Sequence, residues 1–146
     1  MKLVCICGEP NSQKDLVAMK LSQNSDVIYI RPYCDKKVPI NLEAWDNDGL
    51  IHLSPAQLDT KMYCEKPLAV REINDTRYVF FENQLRADYI VMIVDENTLD
   101  NLRKDKRWDI ISIYCTRTSC ANPQKYDVIF NPDTDDVDFL EVKLYE

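Results

Sequence analysis

Residues 2–21, KLVCICGEPNSQKDLVAMKL, decide the fold of this chain. The apolar run KLVCIC at 2–7 is typical of a buried strand. The stretch KDLVAMKL at 14–21 places Leu16, Met19 and Lys20 at helical spacing and predicts a helix. Between them, GEPNSQKD at 8–15 has the outline of a phosphate-binding loop, with Gly8 before and Lys14 after the turn.

Two residues of this segment depart from a phosphate-binding loop. Gln13 stands where such a loop has its second glycine, and Asp15 stands where it has a hydroxyl residue for Mg²⁺. The sequence SQKD also fits a capping box, in which Ser12 caps the helix and Asp15 reaches back to the Ser12 N–H. Three interpretations follow: a capped turn, an ATP-binding loop, or a weaker anion site that uses Lys14.

Four further apolar runs predict strands, and helical patterns lie between some of them. The runs are residues 26–30, 88–94, 109–115 and 127–130. NTLDNLRK at 97–104 predicts a helix with Leu99 and Leu102 on one face. The alternation of strands and helices predicts an α/β fold with a parallel sheet flanked by helices.

Residues 31–87 interrupt this alternation. LAVREINDTRYVFF at 68–81 predicts a hairpin with its turn near ND. We therefore expect a single domain, residues 1–146, whose core is 1–30 and 88–146 and whose antiparallel insertion is 31–87. The tail, residues 137–146, fits a helix or a strand.

Composition narrows the classes of function. The 146 residues carry a net charge of −7, and this argues against direct nucleic-acid binding, which needs a basic surface, while it allows a basic protein partner. No segment reaches the ~20 apolar residues of a membrane span, so we expect a cytoplasmic protein. The six cysteines are scattered and predict buried free thiols rather than a disulfide framework or a metal site.

The order of these segments resembles the guanylate kinase family of nucleoside monophosphate kinases. CICGEPNSQKDLVAMKL is similar to its first strand, phosphate loop and helix, and YIRPY to its arginine-containing segment. NDGLIHLSPAQL and LAVREINDTRYVFF resemble the two ends of its monophosphate-binding insertion. DYIVMIVDENTLDNLRK and KYDVIFNPDTDD resemble its acidic strand end and its last strand. The resemblance covers nearly the whole chain in order and implies a P-loop kinase-like fold.

The resemblance also implies a set of residues that would bind nucleotide or phosphate, with ATP and Mg²⁺ as cofactors if the chain is an active kinase. They are Gly8, Lys14, Arg31, Lys36, Tyr78, Asp95 and Arg117. Asp95 has a second interpretation, because an Asp at a strand end commonly caps the next helix. We predict no catalytic residue and no resident metal site beyond this set.

Several positions depart from the family pattern. Ala69 stands where the family has a glutamate, and Glu72 lies at an odd offset from it, on the opposite strand face. Leu50 replaces a tyrosine, and Cys34, with Lys36 and Lys37 nearby, replaces a second arginine.

The segment that should form the lid is also short. Only residues 116–126, TRTSCANPQKY, separate two strands where the family has a pair of helices, and eleven residues with a proline are too few for two helices.

Three functions remain as hypotheses. The first is a diverged guanylate kinase-like protein that has lost kinase activity and binds a basic protein partner, as a module or inhibitor that would suit a phage gene product. The second is an active nucleoside or deoxynucleoside monophosphate kinase, and the third is a sensor that binds a nucleoside monophosphate without turnover. His52, the single histidine, is expected to be partly buried, and Trp45 and Trp108 to be core edges or partner anchors.

Overall fold

The computed structural model describes residues 1–36 and 50–145. The chain divides into two compact units, one bounded by residues 1–29 and 86–146 and the other by residues 30–85. Lys37 and Trp45, which the sequence singled out, lie outside the described residues.

The first unit holds a five-stranded parallel sheet. Its strands are β1 (Lys2–Gly8), β2 (Val27–Tyr29), β7 (Tyr89–Ile93), β8 (Asp109–Cys115) and β9 (Val128–Phe130), in the spatial order β2-β7-β1-β8-β9. All five predicted strands are confirmed. The central strand β1 is buried at Leu3, Val4, Cys5, Ile6 and Cys7, as expected for a parallel strand covered on both faces.

The first unit also contains three helices: α1 (Lys14–Leu21), α3 (Glu96–Lys104) and α4 (Val137–Leu144). The helix predicted at 14–21 is confirmed, but its buried face is different. Val17, Ala18 and Leu21 pack into the core, while Leu16 and Met19 are 44% and 47% exposed. The core face of α1 is therefore formed by Val17, Ala18 and Leu21, and the predicted face of Leu16, Met19 and Lys20 is wrong.

The tail, which the sequence left open, is helical. Asp136 caps α4 by accepting from the Asp138 N–H at 3.1 Å, and Leu140 and Leu144 are buried against the core cluster. The spacing of Val137, Leu140 and Leu144 was therefore the informative pattern in this segment.

In the second unit, residues 30–36 and 50–85 form a four-stranded mixed sheet and one helix. Its strands are β3 (Tyr33–Cys34), β4 (Ile51–His52), β5 (Pro67–Ile73) and β6 (Thr76–Phe81), in the order β4-β3-β6-β5. β5 and β6 form the predicted hairpin, and its turn residues Asn74 and Asp75 have φ of 49° and 64°. Such left-handed pairs match the twist of a tight hairpin.

Helix α2 (Pro55–Cys64) was not anticipated from the sequence. Ser54 accepts from the Gln57 N–H at 3.1 Å, and Gln57 Oε1 accepts from the Ser54 N–H at 2.9 Å, so a complete capping box begins the helix. Leu58 packs from α2 onto Val79 and Phe81 of the sheet. No described helix has the length and apolar character that crossing a bilayer requires.

Candidate functional site

The turn between β1 and α1 begins with Gly8, which has no room for a side chain. A Cβ added to Gly8 would lie 2.3 Å from the carbonyl oxygen of Cys115, and Gly8 has a φ of +151°. The neighbouring strand β8 therefore passes too close for any side chain. Gly8 has a structural role here, whether or not it also approaches a phosphate.

Gln13 holds the conformation that a phosphate loop normally assigns to glycine. Its φ and ψ are 61° and 31°, in the left-handed region, and Asn11 also has a positive φ of 63°. For a residue with a Cβ, this conformation is about 1–2 kcal/mol less favourable than the right-handed one. The loop thus keeps a tight left-handed turn directly before Lys14 without the glycine.

The capping box predicted at Ser12 and Asp15 is wrong. Gln13, in a left-handed conformation, is the residue that precedes the helix, and no side chain caps it. The Ser12 hydroxyl, 2% exposed, donates to the Glu9 carbonyl at 2.7 Å. Asp15 accepts from the Tyr29 hydroxyl at 2.7 Å. A serine caps a helix from the position directly before its first helical residue, where the backbone is extended. In α1 that position is occupied by the left-handed Gln13, and Ser12 lies one residue further from the helix.

The amino end of α1 is consequently open. Among the described residues, none accepts a hydrogen bond from the backbone N–H of Lys14, Asp15 or Leu16, and the first such bond is Val17 N–H to the Gln13 carbonyl, 3.1 Å. Free N–H groups at a helix amino end, together with the helix dipole, attract an anion. The interpretation of this loop as a capped turn no longer holds.

Lys14 lies across the loop. Its ammonium group donates to the Gly8 carbonyl oxygen at 3.0 Å and is partly buried. The ammonium group therefore lies at the start of the same loop, and a phosphate-binding role for Lys14 stays a prediction. An entering anion would replace the Gly8 carbonyl as the partner of this ammonium.

The segment after β8 closes against the same loop. Glu9 accepts from the hydroxyls of Thr116 and of Thr118, the latter at 3.2 Å. Arg117 donates to the Asn11 carbonyl at 3.0 Å and forms an ion pair of 3.1 Å with Asp133. Sequence reasoning named Arg117 but missed Glu9 and Thr116, because nothing local in the sequence marks contacts between segments about 107 residues apart.

Between β8 and β9, the chain forms one short 3-10 turn, Pro123–Lys125, and no α-helix. Arg117 is the single arginine of residues 116–126. Its guanidinium is already bonded to Asn11 and Asp133 and is 39% exposed at the side chain. This segment offers little positive charge to a transferring phosphoryl group.

Asp95 caps the helix that follows it. Its carboxylate accepts from the Thr98 N–H at 2.9 Å, so the capping interpretation is confirmed. A Mg²⁺ role for Asp95 stays a prediction. Across residues 1–36 and 50–145, no group of three or more His, Cys, Asp or Glu side chains could hold a metal ion.

Burial disfavours the thiolate form of the two cysteines near the loop. Burial raises the pKa of Cys7 to about 12 and that of Cys115 to about 11, so both are neutral thiols at physiological pH. Cys5 and Cys34 are also buried, as predicted, whereas Cys64 is exposed and Cys120 is partly exposed. Cys64 ends α2 and points away from the small core of its unit.

The second unit carries the other predicted phosphate residues. The Arg31 carbonyl accepts from the Gln84 side chain at 2.9 Å, and the side chain of Lys36 is exposed. Tyr78 lies opposite Cys34 on β3 and opposite Arg71 on β5. Arg31, Lys36 and Tyr78 all belong to the second unit.

The hairpin register also places the positions that depart from the family. Glu72 lies opposite Arg77, and Ala69 lies opposite Phe80. Directly opposed residues share a face, so Glu72 is on the other face from Tyr78. The hairpin therefore offers no carboxylate from Glu72 to the face that carries Tyr78.

His52 is partly buried, as predicted. Its Nδ1 lies 3.7 Å from Cys34 Sγ and 3.2 Å from the Lys36 carbonyl oxygen. This cysteine is a partner that the sequence did not reveal. Because Cys34 is fully buried, a substrate cannot reach its sulfur.

Comparison with known proteins gives the fold. No family model and no curated protein matches this sequence. Among solved structures, the chain is similar to guanylate kinase from Anaplasma phagocytophilum, with a TM-score of 0.66, 9% identity, and coverage of 98% of this chain and 81% of that one. It is also matched, with a TM-score of 0.45 and 19% identity, to the Mycobacterium tuberculosis APS kinase CysC Cys556Ala mutant, with coverage of 99% and 94%. The likeness to the guanylate kinase structure supports the predicted α/β fold, a five-stranded parallel sheet flanked by helices.

Proposed function

We propose that this chain is a guanylate kinase-like protein that binds the phosphate of a nucleotide at residues 8–15 and transfers phosphoryl groups slowly or not at all. The observation that carries the proposal is the open amino end of α1 behind the left-handed Gln13. It favours the nucleotide-binding hypothesis over the capped turn.

The loop supplies the charge pattern that a phosphate needs. Three N–H groups, from Lys14, Asp15 and Leu16, lack an acceptor in the described structure, and the Lys14 ammonium lies on the same turn. The Asp15 carboxylate is held by Tyr29, so it does not cap the helix. Backbone donors, the helix dipole and one lysine are the ordinary means of holding a phosphate.

Transfer needs more than binding. A phosphoryl group in transit is stabilised by cations that surround it, and its site excludes water. Residues 116–126 contribute a 3-10 turn and one arginine, whose guanidinium is occupied by Asn11 and Asp133. Binding without rapid turnover follows from this arrangement, and it leaves a role as a sensor or as a module regulated by nucleotide.

The test is thermal unfolding of the whole chain with GMP, other monophosphates, ATP–Mg²⁺ and inorganic phosphate, each alone. A ligand that binds only the native state stabilises it by ~2.7 kcal/mol at 100 times its dissociation constant. We expect stabilisation by at least one nucleotide and its loss in Lys14→Ala. Lys106→Ala removes the same charge from an exposed position outside the loop and should retain the effect.

Two results would overturn the proposal. Absence of stabilisation with every nucleotide would leave the loop as a structural turn and favour the protein-binding hypothesis. Production of ADP from ATP and a monophosphate at 1–100 per second, the usual range for kinases, and lost in Lys14→Ala, would show the active monophosphate kinase instead.

A further inference from the structure

A second feature of the first unit is a groove beside the phosphate loop. It has a volume of about 490 Å³ and lies between α1, the segment that follows β9, and the first turns of α4. Val17, Phe130 and Val137 contribute apolar lining. Leu16 forms part of one wall and is 44% exposed.

The groove is strongly acidic. One basic side chain, Lys20, contributes to the lining, against five carboxylates: Asp133, Asp135, Asp136, Asp138 and Glu141. The local charge is therefore −4, from five negative charges and one positive. The net charge of the whole chain is −7, so the local charge of this groove is more than half as large as the total.

Among the described residues, Asp133 is the one carboxylate of the groove that forms an ion pair, with Arg117. Asp135 accepts from the Asn131 N–H at 2.8 Å, and Asp136 accepts from the Asp138 N–H at 3.1 Å. Like charges that line one groove repel one another, so a bound cation would lower the electrostatic energy of this surface.

The carboxylates do not form a metal site. In the described ranges, no three acidic, His or Cys side chains converge closely enough to hold an ion. They are instead spread from the loop at Asp133 to the second turn of α4 at Glu141. Such a spread suits several cationic groups on one extended chain better than a single ion.

Apolar surface lies beside the acidic groups. Val142, 62% exposed, is one helical turn from Asp138 on α4, and Met19, 47% exposed, is three residues from Leu16 on α1. Lysine and arginine have long aliphatic stems that pack on apolar surface while their charged ends reach carboxylates. Leu16 supplies exposed apolar surface within the groove, and Met19 and Val142 extend it outside the lining.

We propose that this groove docks a segment of another protein that contains several lysine or arginine residues interspersed with apolar residues. The charged ends of the segment pair with Asp138, Glu141 and their acidic neighbours, and its apolar side chains contact Leu16. The net charge of −7 speeds the approach of such a partner. The groove borders the phosphate loop at Gln13 and Leu16, but the carboxylates that would pair with the segment lie outside that loop, so the docking proposal does not require nucleotide binding.

The experiment measures fluorescence anisotropy with a labelled octapeptide in which Arg and Leu alternate, and with a second peptide in which Glu replaces Arg. The double variant Asp138→Asn and Glu141→Gln removes two charges with little change of volume. Its matched control, Asp88→Asn and Asp109→Asn, removes two exposed charges at the amino ends of β7 and β8, outside the groove lining.

We expect the Arg peptide to bind and the Glu peptide not to bind. The groove variant should weaken binding roughly fivefold, since each exposed ion pair contributes little, and the control should stay within about twofold of the parent. Leu16→Ser should also weaken binding of the Arg peptide. Its effect should be larger at high salt, where salt screens the charges and the apolar contact contributes a larger share of the binding free energy.

Equal weakening in the groove variant and its control would overturn the proposal, because it would show attraction to the net charge alone. Failure of the Arg peptide to bind the parent protein would overturn it as well. Circular dichroism of each variant identifies loss of folding, and a peptide with a photo-crosslinking group must label α1 or α4 for the proposal to stand.

Discussion

At the start of α1, the Ser12 hydroxyl donates to the Glu9 carbonyl, whereas at the start of α2, the Ser54 hydroxyl accepts from the Gln57 N–H. Both serines precede an acid or amide by three residues. The residue before α1 is left-handed Gln13, and the residue before α2 is Ser54 itself in an extended conformation. Backbone conformation, and not the pattern of side chains, decides which helix end is capped and which is left open to an anion.

The largest predicted effect concerns the turn that opens α1. Gly8→Ala should lower the free energy of unfolding by about 3 kcal/mol, because its Cβ would collide with the Cys115 carbonyl and its φ is positive. Chemical denaturation measures the change. The Glu9 amide, which donates to Cys115, should exchange with solvent faster in this variant. A loss of less than about 1 kcal/mol would show that β8 can move away.

The next effect concerns the support of α2. Arg77 donates to Asp35 Oδ2 at 2.9 Å, to Asp59, and to the Pro55 carbonyl at 3.2 Å, so it ties the hairpin to the first turn of the helix. Arg77→Met should cost about 2 kcal/mol, since it leaves the buried Asp35 carboxylate without its cation. Asp59→Asn, at the 65% exposed end of the same network, should cost less than about 0.5 kcal/mol. Similar losses of unfolding free energy in Arg77→Met and Asp59→Asn would contradict this distinction between the buried and the exposed end of the network.

The same network predicts a dependence on pH. Burial alone would raise the pKa of Asp35, but hydrogen bonds from the Arg77 N–H and guanidinium outweigh it and hold that pKa below its usual value. A lowered carboxyl pKa stabilises the fold above the pKa of the unfolded chain, ~4, and that contribution is lost as the pH falls through the folded value. The difference in unfolding free energy between the parent and Asp35→Asn should therefore shrink below about pH 4.

A smaller effect tests the capping difference directly. Ser54→Ala should cost about 1 kcal/mol and speed hydrogen exchange at the Gln57 amide. Ser12→Ala should cost about 0.5 kcal/mol, because the Glu9 carbonyl still accepts from the Ser12 N–H. Exchange of the Lys14, Asp15 and Leu16 amides should be fast in both the parent and Ser12→Ala. Slowed or protected amides at this end of α1 would contradict an open helix terminus.

The smallest effect concerns the left-handed residue. Gln13→Gly should stabilise the chain by about 0.5 kcal/mol, the relief of left-handed strain less the entropy that glycine adds to the unfolded chain. Gln13→Ala keeps the strain and should be near neutral. If glycine and alanine behave alike in thermal unfolding, the left-handed turn is not maintained in solution.

Local patterns predicted the elements of the core. Continuous apolar runs identified all five parallel strands, the ND turn identified the hairpin, and Leu99 with Leu102 identified α3. These features depend on burial and turn geometry, which neighbouring residues encode. The capping pattern was misleading at Ser12 and was missed at Ser54, because a motif of two residues does not report the backbone conformation on which a cap depends.

The sequence by itself determined the α/β fold, the position of Gly8 and Lys14 on either side of a turn, and an excess of negative charge. Only the tertiary structure decided what these residues do. The close passage of β8 fixes Gly8, Tyr29 engages Asp15, and residues 116–118 tie down the loop, all through contacts between distant parts of the chain. In the resulting loop Gln13 is left-handed and no side chain caps α1, because a helix end is capped only when the chain brings an acceptor to it.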